Sequence, residues 1–134
     1  MKTKKIHKTV TTYPLGDFLI RIKNSVMAGN KILEAPSTKV IHEVAKTMKK
    51  MGYLVDVTKK DDVLSIALAY SNKKPVIMDL KLISRPGYRR YISVGELESF
   101  RGPEKYILST PKGILSSSEA IKTRSGGELI VKIL

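Results

Sequence analysis

The stretch Ser109-Thr110-Pro111-Lys112-Gly113 sits between an apolar, strand-like run and a serine-opened, helix-like one. It offers two hydroxyls that both donate and accept, one cation, and a glycine that lets backbone amides approach another chain closely. Two chemistries fit such a set, a hydroxyl nucleophile or the recognition of a sugar-phosphate backbone. A nucleophile needs a base within reach. The chain has only two histidines, His7 and His42, both in its first third, with no acid or cysteine at ligand or relay spacing. The following serines, Ser116 to Ser118, read as a helix start, with Ser116 and Glu119 spaced as a capping box.

Charge separates the two chemistries further. The 134 residues hold 25 Lys and Arg against 12 Asp and Glu, a formal net charge of +13. Solubility of a small domain asks for only about 2 to 8 charges, so the excess points to a polyanionic partner, nucleic acid ahead of a membrane surface or an acidic protein. Both halves are basic, so a nucleic-acid surface is expected to span both. Helical RNA presents 2′-hydroxyls and base edges in a wide, shallow minor groove, where the short polar groups of residues 109–113 would reach them. Tyr88, among Arg85, Arg89 and Arg90, has the composition to stack on an unpaired base.

No glycine-rich phosphate loop of the Walker or dinucleotide type is present, and the acids are scattered singly or, as at Asp61 and Asp62, lie in an expected turn. No cofactor, metal, small-molecule substrate or enzymatic activity is expected. Cysteine is absent, which makes the cytosol the default compartment. No run approaches the roughly 20 apolar residues of a membrane span. The opening MKTKKIHKTVTT fits neither a secretory signal nor a transit peptide; residues 1–12 read as a basic arm that orders on binding.

The elements that must position these groups follow from periodicity. Pro14 opens a helix with Leu15, Phe18, Leu19, Ile22 and Val26 on one face, stopped at Gly29 and Asn30. KILEA reads as a strand, and Pro36 with Ser37 opens a second helix that Gly52 closes. YLVDVT, VLSIALAY and VIMDLKLI then read as a meander of three strands. A boundary is expected at Ser84, where SRPGYRRYISV brings a turn and a jump in charge. Beyond it come a strand near 90–94, an irregular stretch GELESFRGPE, the strand KYILS, the 109–113 loop, a short helix near 118–123 and a last strand ELIVKIL. The fold class is α+β: an N-terminal domain of two helices and a three-stranded sheet, packed on a smaller, mostly β C-terminal domain.

The order PLGDFLIRIKNS, APSTKVIHEVAKTMKKMGYL, ISRPGYRRYI, ILSTPKGIL and EAIKTRSGGELIVKIL resembles the bacterial-type small-subunit ribosomal protein S8 family, from about Tyr13 to the C-terminus. The resemblance implies an α/β N-terminal domain over 13–83 packed on an RNA-binding C-terminal domain over 84–134. It also implies a structural, non-enzymatic constituent of the small ribosomal subunit, located in the cytoplasm. Such a protein binds the central domain of 16S-type rRNA directly, aids its assembly and neighbours other small-subunit ribosomal proteins. Some members also bind their own mRNA, so a free-standing RNA-binding translational regulator on the same fold is the alternative.

By position, the resemblance places Ser109, Thr110, Lys112 and Gly113 in the RNA minor groove, with Gly126, Gly127 and Glu128 supporting or flanking that contact. Arg85, Pro86 and Tyr88 match a second RNA-facing loop, and Arg21, Lys23, Asn24, Ser37 and Lys39 match backbone-contacting positions of the N-terminal domain. The sequence departs from the family pattern at Pro111, where serine is usual, and at Tyr13, where an aspartate N-cap is usual. It also ends in Ile133-Leu134 where many members carry tryptophan, and its arm is longer and more basic.

Overall fold

A computed structural model describes residues 13–134; the basic arm and His7 lie outside the described residues. Helix α1, Pro14–Ala28, starts with proline at its first turn, where a missing N–H costs nothing, and Tyr13 makes no side-chain cap. It ends in a Schellman turn: Gly29 is left-handed at φ 78, its N–H reaches the Val26 carbonyl, and the Asn30 N–H reaches the Ser25 carbonyl at 2.9 Å. Strand β1, Ile32–Pro36, alternates exposed and buried residues. Helix α2, Lys39–Lys50, is capped by Thr38, whose hydroxyl accepts from the Ile41 N–H at 3.2 Å. The expected opening at Pro36 and Ser37 is therefore one residue early: Ser37 spends its own N–H on the Asp62 carbonyl at 2.8 Å.

Strands β2, Leu54–Lys60, and β3, Val63–Leu68, form the hairpin expected around Asp61 and Asp62, with Asp61 at φ 56. The three-stranded sheet has the order β1-β3-β2, all antiparallel. This corrects the expected meander, because β1 occupies the edge of β3 that a third meander strand would need. A small hairpin, β4 (Tyr70–Ser71) and β5 (Lys74–Pro75), turns through Asn72 and Lys73, both at positive φ. The VIMDLKLI run then contributes only β6, Leu80–Leu82, and pairs it with the chain's last strand, Lys81 opposite Lys132.

The second sheet contains β6, β7 (Tyr91–Ile92), β8 (Lys105–Thr110), β9 (Gly113–Ser116) and β10 (Gly127–Ile133), with β10 at its centre. The stretch expected to be irregular holds helix α3, Val94–Glu98, capped reciprocally by Ser93 and Glu96. Helix α4, Ser117–Lys122, carries the Ser116–Glu119 capping box that the sequence announced.

One core gathers Phe18, Leu19 and Ile22 of α1, Ile41, Val44 and Met48 of α2, Leu64 and Ile66 of β3, and Ile107, Val131 and Ile133 of the second sheet. A smaller one, Ile92, Leu97, Leu108, Ala120 and Leu129, lies under α3 and α4 on that sheet's other face. At roughly 1.5 to 3 kcal/mol per fully buried aliphatic side chain, the first core dominates and locks the two sheets together.

Ion pairing adds a local tie. Lys23 of α1 lies 3.3 Å from the Asp79 carboxylate just ahead of β6. The Leu80 N–H, and then Lys23, hold that carboxyl below its ordinary range. A lowered native pKa contributes stability above the unfolded value of about 3.9 and loses it as pH falls through the native value. Urea midpoints should therefore drop on acidification below about pH 4, with a shallower drop in Asp79→Asn; the same slope in both proteins would contradict this tie.

Candidate nucleic-acid interface

Residues 109–113, expected as a loop, form the tip of a tight hairpin. Strand β8 runs to Thr110 and β9 begins at Gly113, so only Pro111 and Lys112 form the turn, with Thr110 opposite Gly113 and Ser109 opposite Ile114. The Thr110 hydroxyl closes this turn, donating to the Gly113 carbonyl at 2.8 Å and accepting from the Lys112 N–H at 3.1 Å. Gly113 sits at φ 111, which a side chain would resist. Proline suits the first turn position, which needs no ladder N–H. The Lys112 ammonium donates to the Thr123 carbonyl at 2.9 Å, tying the exposed tip to the C-terminal end of α4, where a cation is favoured.

Gly127 supports this hairpin through backbone contact, and Gly126 makes a like contact with β7. A Cβ on Gly127 would lie 2.2 Å from the Ser109 carbonyl oxygen, and one on Gly126 would lie 2.6 Å from that of Ile92. Neither contact can relax without moving a strand. The next residue, Glu128, faces Ser109 across the ladder and pairs with Arg89 at 3.1 Å. Arg89 in turn lies over the Tyr13 ring at 5.6 Å, and the Tyr13 hydroxyl donates to the Ser84 carbonyl at 3.3 Å. Burial raises the Tyr13 phenol, partly offset by the Arg89 charge, and the Glu128 hydrogen bond raises Arg89 further.

Tyr13, Arg89 and Glu128 line a groove of about 420 Å³ with Leu15, Val40, Ser109 and Ile114. Thr38 lines it too, so the start of α2, where Ser37 and Lys39 lie, meets the base of the hairpin. The groove thus joins both halves of the chain. Tyr13 and Arg89 were not among the expected site residues. Arg89 was visible in the Arg85–Arg90 run; Tyr13 stood out only as a departure from the family's N-cap, because its role depends on a contact with a distant part of the chain.

The remaining expected residues lie elsewhere. Arg85 to Tyr88 form a tight turn with both backbone hydrogen bonds between its ends and Gly87 at φ 84. Tyr88 is 53% exposed, with the Arg85 and Arg90 guanidinium carbons each 5.8 Å from its ring centroid. Arg21 donates to the Glu34 carbonyl and Lys23 pairs with Asp79, so both are engaged within the protein; Asn24 is exposed on the same helix. Among the described residues there is no cluster of three His, Cys, Asp or Glu side chains able to hold a metal, and no helix is long and apolar enough to cross a membrane.

The described residues form a compact α+β module with exposed basic turns and a groove joining its two larger sheets. The sequence profile of the family described as "Ribosomal protein S8" matches residues 13–134. The chain is 41% identical over 124 residues to small ribosomal subunit protein uS8 of Pseudomonas paraeruginosa, covering 90% of this chain and 95% of that one. It is 35% identical to uS8 of Nitratidesulfovibrio vulgaris (strain DP4) over 123 residues, covering 91% and 98%. The uS8 of Enterococcus faecalis is also 35% identical, over 130 residues, covering 92% and 98%. The chain belongs to the ribosomal protein S8 family, whose role is structural and non-enzymatic.

The glycine contacts make a direct prediction. Gly127→Ala should destabilise the protein by at least the ~1 to 3 kcal/mol of an overpacked site. Gly95→Ala in α3, where a new Cβ would meet only the Ser93 hydroxyl at 3.9 Å, should be neutral or slightly stabilising. Equal melting temperatures for Gly127→Ala and the wild type would refute the backbone contact.

Proposed function

We propose that this chain is a structural constituent of the small ribosomal subunit that binds directly to a helical element in the central domain of 16S-type rRNA and aids its assembly beside other small-subunit ribosomal proteins. The observation that carries this reading is the β8–β9 tip. It places Thr110, Lys112 and Gly113 at the exposed end of a hairpin fixed at both sides, by Gly127 against Ser109 and by Lys112 against α4. Membership of the S8 family and the +13 charge support it. A tip this narrow suits the shallow minor groove of A-form RNA.

In this reading Ser109 and the free lone pair of Thr110 face base edges and 2′-hydroxyls, while Lys112 lies close enough to a phosphate to exchange its helix contact for one. The residues around Lys39 take backbone phosphates at the other rim of the groove. Arg89 and Glu128 hold Tyr13 and position the rim without reading sequence. No proton transfer or bond cleavage is involved.

The test is binding to the central-domain helix against a scrambled duplex of equal length across about 50 to 200 mM salt, where a protein making ~6 to 10 phosphate contacts loses about 10³ to 10⁵ in affinity. Preference for the native helix should survive the higher salt. Lys112→Ala should lower affinity and reduce the salt slope by about one, whereas Thr110→Val should weaken the preference with little change in slope. Equal, salt-erased binding to both duplexes would overturn the proposal.

A further inference from the structure

We infer that the open β6 rim of the second sheet, on the face that carries α3 and α4, is a binding site for a single-stranded RNA segment, separate from the hairpin tip. The inference rests on the RNA-binding reading above and extends it to a second surface. Side chains alternate across a strand, and Tyr106, three residues from Ser109 on β8, points to the other face of the sheet. There it meets Lys132, its ladder partner on β10, and Lys132 is in turn opposite Lys81 on β6. Phe100 stacks obliquely on Tyr106 with ring centroids 5.0 Å apart, and 41% of Phe100 is exposed.

These residues line a groove of about 320 Å³ that continues to Arg85 and Arg90 beside Tyr88. Among the described residues the lining supplies four cations and no carboxylate. Two acids outside the lining interact with it electrostatically, Asp79 with Lys132 and Glu104 with Tyr106. Apolar residues alone would have no need of two lysines placed side by side across neighbouring strands, where like charges repel. A chain with a phosphate at every step and a flat base between phosphates meets both requirements: cations along the backbone path and aromatic faces for the bases. A duplex does not, because its bases are already stacked.

The probe is a roughly ten-nucleotide oligouridylate titrated into the full chain, followed by tyrosine fluorescence, first alone and then with the central-domain duplex bound. The oligonucleotide should quench tyrosine emission and still bind when the duplex is saturating. The double variant Lys81→Gln with Lys132→Gln should weaken it at least fivefold and lower its salt slope by about 1.4, two single-strand phosphates, while duplex binding changes less than twofold. Lys59→Gln with Lys60→Gln, on the far sheet, removes the same charge and should leave oligonucleotide affinity within twofold.

Mutual exclusion of oligonucleotide and duplex, equal loss in the two double variants, or equally tight binding of polyglutamate would each overturn the inference; the last would assign the groove to an acidic protein segment. Loss of the oligonucleotide site with intact duplex selectivity leaves the proposed function standing. Absence of duplex selectivity in the wild type removes the proposed function itself.

Discussion

The fold turns on the close passage of β10 past β7 and β8 at Gly126 and Gly127. Two backbones approach there more tightly than any Cβ permits. The contact sets the register in which Glu128 meets Ser109, and that register places the Arg89 pair and the Tyr13 ring against the base of the hairpin. A single side chain at position 127 would press on the Ser109 carbonyl, one residue from the Thr110 that closes the tip. The paired glycines therefore act on the candidate interface by fixing distance, without presenting any group to a ligand.

Strand β10 does the same for the molecule as a whole. Its segment Leu129, Ile130 and Val131 is buried without alternation, and the ladder to β8 shifts register there. The bulge lets Leu129 enter the smaller core while Ile130 and Val131 enter the larger one. One strand thereby holds the N-terminal helices on one side and the capped pair α3 and α4 on the other. With both faces covered at its centre, the sheet leaves its polar chemistry to its rims: the hairpin tip at one, the Lys81–Lys132 row at the other.

Much of this was legible in the sequence because it depends on local rules. The α1 stripe with its Pro14 start and Gly29 stop, the Ser116–Glu119 box, and the turn at Asp61–Asp62 each rest on residues within a few positions of one another. What was misread depends on distant competition. VIMDLKLI has strand composition, but whether it joins β3 or β10 is decided by β1 having already taken the β3 edge. The expected loop at 109–113 is a hairpin tip because Ile114 and Leu115 find strand partners in β8. GELESFRGPE hides a five-residue helix whose capping box, Ser93 and Glu96, follows the same spacing rule as Ser116 and Glu119. The Tyr13–Arg89–Glu128 chain crosses more than a hundred residues and left no local trace.

The chain contains no cysteine, so Lys112→Cys creates a single attachment point for a photoreactive group at the hairpin tip. The most direct measurement is crosslinking from that position in assembled small subunits, with Lys59→Cys on the far sheet as the comparison. The account predicts a concentrated crosslink from position 112 to one helical element of central-domain rRNA and a different or absent one from position 59. Crosslinks from position 112 that reach only protein, or that match those from position 59, would contradict the hairpin tip as the rRNA-binding element.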